Sequence, residues 1–125
     1  MREILFRGKR IDNGEWAYGY YLADKLGSYI SGKHYKIIPE TVGEYLGIPD
    51  KNKKKLFEGD IVKVKDYIDL YEVIYEPLWM QFVLKQRWHN VEYVMLGGQD
   101  DDSVWYDEIE IVGNITDNPE LLESK

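Results

Sequence analysis

The sequence predicts an all-β protein: an N-terminal β-hairpin lobe over residues 1–49, then a small β-barrel over residues 50–125 that ends in a short helix. Three observations carry this. Two-residue alternation of apolar and polar positions dominates the chain, and no long 3.6-residue period appears. Glycine, proline, asparagine and aspartate interrupt the alternation at short intervals. Aromatic residues make up 14% of the chain, with 11 Tyr and 4 Trp, and in β-rich domains these pack as cross-strand pairs.

The first strands are predicted over residues 3–10, 15–24, 29–31 and 34–39. Asn13-Gly14 joins the first two as a hairpin, because both central residues of a type I′ turn need positive φ. Ser31-Gly32-Lys33 reads as a second tight turn. Residues 41–47 read as a loop or a single helical turn, which Pro49-Asp50 ends with turn chemistry. Lys51-Asn52-Lys53-Lys54-Lys55 then forms an exposed hairpin tip, with Asn52 the residue suited to the left-handed conformation. This stretch, residues 47–55, is the one visible seam between the lobes.

Strands follow over residues 60–65, 71–76, 79–88 and 91–96. In the third of these, Met80, Phe82 and Leu84 share one face and Gln81, Val83 and Lys85 the other, as in a half-buried antiparallel strand. Residues 97–103 form a polar loop. A last strand covers residues 108–115, with Gly113 as a bulge. The short helix starts at Asn118-Pro119-Glu120, where Asn118 suits the N-cap and Pro119 the first helical position. Short strands at this spacing point to a small barrel.

Glu58-Gly59-Asp60 precedes the first barrel strand. Glycine at 59 permits a backbone bend that a β-carbon would penalise. Asp60 bonds neighbouring backbone N–H groups and fixes the turn. Leu56 and Phe57 pack before the corner, and Glu58 faces water. Such a corner suits the start of an SH3-like barrel. The rival is a functional carboxylate pair, because carboxylates two apart on an extended chain point the same way. The turn is the better reading, since no third partner lies near in sequence.

The totals limit the function classes. A chain of 125 residues with a 44% hydrophobic fraction fits one domain or two small lobes, and buries about two-thirds of its extended surface. It has no cysteine, so disulfides and thiolate metal sites are excluded. No signal peptide and no membrane span is legible, and a cytoplasmic location is expected. The net charge of −7 repels phosphate backbones and disfavours nucleic acid.

No catalytic, cofactor or metal site is predicted, and the chain is read as not an enzyme. His34 and His89 lack ligand-spaced partners and read as solvated or packed residues. Ser28, Ser31, Ser103 and Ser124 lie outside any nucleophile elbow. Asp100-Asp101-Asp102 lacks the register and distal Glu of a calcium loop. Gly97-Gly98 opens no helix and is no phosphate loop. The set Tyr67, Tyr71, Tyr75, Trp79, Trp88, Tyr93, Trp105 and Tyr106 reads as core and a dimer seam. Two partner readings follow. Protein–protein contact or self-association comes first. The alternative is single-stranded nucleic acid, held by Lys51, Lys53, Lys54, Lys55, Lys63 and Lys65 beside stacking aromatics.

Three blocks of this sequence resemble the YopX family of phage and prophage proteins. The first is Arg2-Glu3-Ile4-Leu5-Phe6-Arg7-Gly8-Lys9 with Asn13-Gly14-Glu15-Trp16-Ala17-Tyr18-Gly19. The second runs from Ile38-Pro39-Glu40-Thr41-Val42-Gly43 through Asp50-Lys51-Asn52 to Leu56-Phe57-Glu58-Gly59-Asp60-Ile61-Val62. The third is Glu110-Ile111-Val112-Gly113-Asn114-Ile115 with Asn118-Pro119-Glu120-Leu121-Leu122. One departure is that Lys53 stands where the family usually has glycine. The resemblance implies an all-β chain with an SH3-like later part, a phage or prophage origin and the bacterial cytoplasm. It implies no activity and no catalytic residues.

Overall fold

The computed structural model describes residues 4–32, 34–86, 92–96 and 105–122. These residues form twelve strands in three antiparallel sheets. The first sheet has the order β2 (Trp16–Gly19), β1 (Phe6–Lys9), β6 (Gly43–Pro49), β7 (Lys55–Phe57). The second runs β3 (Tyr21–Asp24), β4 (Gly27–Ile30), β5 (Tyr35–Ile37). The third runs β11 (Glu92–Met95), β10 (Gln81–Gln86), β9 (Leu70–Glu76), β8 (Asp60–Val64), β12 (Ile109–Asn114). Its edge strands β11 and β12 do not pair among the described residues, which therefore form an open sheet of five strands.

The all-β expectation holds, and several finer expectations change. The strand expected over residues 15–24 is two strands in two sheets. The chain steps between them at Gly19, where a β-carbon would strike Ser31 Oγ, and Ser31 N–H bonds the Tyr20 carbonyl at 2.9 Å. The stretch expected as a loop after residue 40 is strand β6. A β-carbon at Gly43 would overlap the Glu58 carbonyl, so the glycine there serves close strand packing. Gly47, at φ 89°, lies in the irregular register between Tyr45 and Pro49. Turn-forming residues therefore sit inside a bulged strand, and the short helical turn comes earlier, at Pro39–Thr41. The β6–β7 hairpin spans the seam at residues 47–55.

The turns are also informative. Gly14 alone takes positive φ (71°) in the first hairpin, while the Asn13 side chain accepts the Glu15 N–H at 3.0 Å. At the lysine tip the left-handed residue is Lys53 (φ 67°), not Asn52. A non-glycine residue there is strained by about 1–2 kcal/mol, against the roughly 0.5–1 kcal/mol of extra chain entropy glycine brings. Lys53→Gly is expected to stabilise the fold by about 0.5–1 kcal/mol in urea denaturation.

The main core joins Leu56, Val62, Val64, Tyr71, Val73, Leu84, Val94 and Ile109, with Leu46 and Ile48 of β6 packed onto it. A second cluster joins Ala17, Ile30 and Ile37 of the first two sheets. In β10, Leu84 joins the main core as expected, but Phe82 is only half-buried, against Tyr75, and Val83 on the other face is as buried as Leu84. Met80 lies outside the strand, in the turn before it. The predicted bulge is present, as a register shift between Ile111 and Gly113. The expected C-terminal helix is only a four-residue 3-10 turn, Pro119–Leu122. Asn118 Oδ1 turns back to accept the Asn114 N–H at 3.2 Å, and Leu121 packs over Gly113.

Candidate functional site

Gly59 takes φ 93°, a conformation that disfavours a β-carbon. Its N–H donates to the Val73 carbonyl at 2.8 Å, and its own carbonyl accepts the Ile115 N–H at 2.8 Å. The corner thus ties β9 to the segment after β12. Asp60 fixes it as expected: its buried carboxylate accepts the Phe57 N–H at 2.7 Å. The other oxygen pairs with the Arg7 guanidinium at 2.8 Å. Arg7 is itself buried, 4.6 Å from the Trp16 ring centre and 4.9 Å from that of Phe57. Burial pushes the Asp60 carboxyl above its ordinary range, and the Arg7 charge and the Phe57 N–H only partly offset this.

The bend at Gly59 sends the two flanking acids into different clefts. Asp60 borders a cleft of about 400 Å³ with Arg7, Tyr18, Lys54, Lys55, Phe57 and Asn114. Glu58 borders one of about 690 Å³ with Glu44, Tyr75, Met80, Gln81 and Phe82. Glu58 does not face water as expected; it is half-buried. Burial raises its pKa, the Glu44 backbone N–H lowers it, and the Glu44 and Glu72 carboxylates raise it further. The carboxylate pair weighed in the sequence is therefore not brought together, and Asp60 finds its counter-ion 53 positions away (60 − 7).

Other sequence candidates are dispersed. His34 is exposed, in the turn before β5, with its ring edge-on to Tyr35 at 4.2 Å. His89, Trp88 and Asp100-Asp101-Asp102 lie outside the described residues. Among the described residues, no group of three or more His, Asp or Glu is placed to hold a metal. The basic edge divides. Lys51, Lys63 and Lys65 share a cleft with Asp66, Asp107, Glu108 and Glu110, and Lys51 approaches Glu110 at 3.6 Å. Lys54 and Lys55 border the Tyr18–Phe57 cleft instead, and the Lys55 ammonium lies 5.2 Å from the Tyr45 ring centre.

The aromatic set divides as well. Tyr71 is buried, with Tyr67 edge-on to it at 5.8 Å. Tyr75, Trp79, Trp105 and Tyr106 are exposed. Sequence reasoning missed Arg7, whose alternation within β1 gave no sign of burial, and the exposed apolar run around β3.

The YopX family model matches residues 5–123, so the chain belongs to the YopX family. Among solved structures it is similar to the crystal structure of protein EF1440 from Enterococcus faecalis. That likeness has a TM-score of 0.57 at 20% identity, over 98% of this chain and 100% of that one, and shows a shared fold. A comparison with curated proteins finds no match. Among the described residues no helix is long and apolar enough to cross a membrane.

Proposed function

We propose that this chain is a non-catalytic accessory protein of a phage or prophage, acting in the bacterial cytoplasm, whose β surfaces contact protein, first of all a second copy of itself. The observation that carries this reading is strand β3. It is the edge of its sheet, and all four of its residues are exposed. Tyr20 before it is 75% exposed and Leu26 after it 72%. An apolar edge strand is a template for further strand pairing, and chains that stay monomeric blunt such edges with charge or proline.

The pairing geometry favours a second copy. Ser31 N–H bonds the Tyr20 carbonyl, so Tyr20, Leu22 and Asp24 turn their backbone groups toward β4. Tyr21 and Ala23 then turn theirs outward. An antiparallel pair of β3 strands matches Tyr21 of one copy with Ala23 of the other and sets the two Leu22 residues face to face on the two-fold axis. Sedimentation equilibrium is expected to give twice the 14.8 kDa chain mass, and Leu22→Lys to return it to one. A monomeric wild-type chain at high micromolar concentration removes self-association. If pull-downs from infected cells also recover no protein, the contact reading falls with it.

The third sheet is read here as a relative of the SH3-like barrels, supported by its five short strands, the Gly59 corner and the Gly113 bulge that curls β12. One observation favours single-stranded nucleic acid instead: Lys54 and Lys55 border the same cleft as Tyr18 and Phe57. The net charge of −7 opposes it. Filter binding at low salt decides the point, since retention that collapses with added salt supports it and no retention removes it.

A further inference from the structure

We propose that Asn13 is a site of spontaneous covalent modification, deamidation through a succinimide formed with Gly14, and that the turn after β12 restrains this reaction through Asp117 and Lys9. The site lies apart from β3 and is independent of the contact reading.

Asparagine is among the chemically labile side chains. The next residue decides how labile, because the attacking atom is that residue's backbone nitrogen, and glycine has no β-carbon to shield it. Only Asn13 is followed by glycine; Asn52, Asn90 and Asn114 precede Lys53, Val91 and Ile115, and Asn118 precedes Pro119, which has no N–H. Asn13 and Gly14 are exposed at the β1–β2 hairpin tip, and nothing stands within 4 Å of where a Gly14 β-carbon would be. The reaction needs only water. The Gly14 nitrogen gives its proton to solvent base and bonds Asn13 Cγ. The Cγ–Nδ2 bond breaks, and Nδ2 takes a solvent proton and leaves as ammonia. Water then opens the succinimide. Opening at Cγ leaves aspartate, and opening at the Asn13 main-chain carbonyl carbon leaves isoaspartate.

The folded tip holds both reacting groups. The Gly14 N–H donates to the Arg10 carbonyl at 3.0 Å, and Asn13 Oδ1 accepts the Glu15 N–H at 3.0 Å. The Gly14 carbonyl accepts from Lys9 Nζ at 2.9 Å. Lys9 is fixed in turn by Asp117. One Asp117 oxygen pairs with Lys9 Nζ at 2.7 Å, and the other accepts Trp16 Nε1–H at 2.9 Å. Asn114 places Asp117, because its Oδ1 accepts the Asp117 N–H at 2.8 Å. The turn after β12 therefore clasps both strands of the hairpin, β1 through Lys9 and β2 through Trp16. Ring closure swings the Gly14 nitrogen onto Cγ, which breaks its bond to Arg10 and frees Asn13 from Glu15. An intact clasp resists that movement, and local opening of the tip allows it. Either product then loosens the hairpin. Isoaspartate lengthens the main chain, and aspartate sets a carboxylate where Asn13 Nδ2 now meets Glu15 Oε2 at 3.4 Å.

The test ages the full chain at mildly alkaline pH and body temperature and then cuts it after glutamate. That digest places Asn13 in Ile4–Glu15, Asn52 in Tyr45–Glu58 and Asn114 in Ile111–Glu120. Mass spectrometry and isoaspartate detection read each peptide. In guanidinium chloride, Asn13 is expected to convert at least about tenfold faster than Asn52 or Asn114, and Gly14→Ala to slow it by a similar factor. In the folded chain, Asn13 is expected to convert at least about tenfold more slowly than in guanidinium chloride, and Asp117→Ala to recover most of that difference. Val94→Ala, which weakens the main core away from the clasp, is the control. Equal acceleration by Val94→Ala overturns the clasp, because the reaction then runs through global unfolding. Equal rates in the folded and unfolded chain overturn it too, as does a folded-chain rate that Asp117→Ala leaves unchanged. Conversion of Asn52 or Asn114 ahead of Asn13, or no isoaspartate in Ile4–Glu15, overturns the site itself.

Discussion

Arg7→Met is expected to cost about 3–5 kcal/mol of folding stability at neutral pH, because it leaves the Asp60 carboxylate buried without its counter-ion. The substitution preserves much of the side-chain volume between Trp16 and Phe57, so the loss reports the charge more than the packing. Asp60→Asn alone is expected to cost somewhat less, although it too strands a buried charge, the Arg7 guanidinium, which keeps only the Trp16 and Phe57 rings. Asparagine keeps an oxygen for the Phe57 N–H, and burial already holds the Asp60 carboxyl above its ordinary value of 3.8. The double variant Arg7→Met/Asp60→Asn should recover most of the loss. The pH dependence follows from the sign of the shift. A carboxyl whose folded pKa is raised favours the folded state in its neutral form and opposes it once ionised. Removing Arg7 raises that pKa further. The deficit of Arg7→Met is therefore small in acid and grows as pH rises from the wild type's folded pKa, itself above 3.8, through the higher folded pKa of the variant. Urea denaturation of the four chains at acid and neutral pH checks this. A deficit independent of pH, or one that Asp60→Asn fails to relieve, would show that the Arg7 side chain acts only by filling space.

The corner at Gly59 was legible because it is local. A glycine before a β-branched run, followed by aspartate, declares a positive φ and a side-chain-to-backbone bond, and both are present. The bulge at Gly113 was legible for the same reason. What the sequence hid is whatever depends on distant chain. Arg7 alternates in β1 like any exposed basic residue, and only the fold brings Asp60 to it. Strand β6 looked like a loop because Gly43, Gly47 and Pro49 are turn-formers, yet Gly43 is required by the approach of the Glu58 carbonyl and Gly47 by a bulge. The terminal segment had helix-starting residues, but the pull of Asn118 back toward Asn114 and of Leu121 onto Gly113 leaves only one 3-10 turn. The turn at Pro77–Met80 was hidden, because Trp79 and Met80 continued the alternation of the strand expected over residues 79–88. The exposure of β3 was hidden too, since its alternation continued that of β2 and suggested one strand with a buried face.

The second large effect is expected at Asp50, which the sequence offered only as a turn former. It is 1% exposed and holds three backbone N–H groups. One oxygen accepts from Asn52 at 2.8 Å and Lys54 at 3.0 Å, which shapes the lysine tip. The other accepts from Ile111 at 3.0 Å, across 61 positions, and beside it Lys51 N–H bonds the Ile109 carbonyl at 2.8 Å. Asp50 thus stitches the β6–β7 hairpin to β12, joining the first sheet to the third. Hydrogen bonds to a charged acceptor contribute about 1.5–3 kcal/mol each but do not add fully, and the freed N–H groups gain some water, so Asp50→Ala is expected to cost about 3–5 kcal/mol. Asp50→Asn should fall between, since its amide nitrogen can replace only one oxygen and turns a donor toward an N–H. Burial works against the Asp50 charge, but the N–H groups of Ile111, Lys54 and Asn52 outweigh it and hold the carboxyl below its ordinary 3.8. A carboxyl with a lowered folded pKa contributes its full stability above the unfolded value and loses it as pH falls through the folded one. The gap between wild type and Asp50→Asn is therefore expected to be constant from neutral pH down to about 5 and to close in stronger acid. If the gap instead persists unchanged in acid, the three bonds do not depend on the charge, and the stitch is one of shape alone.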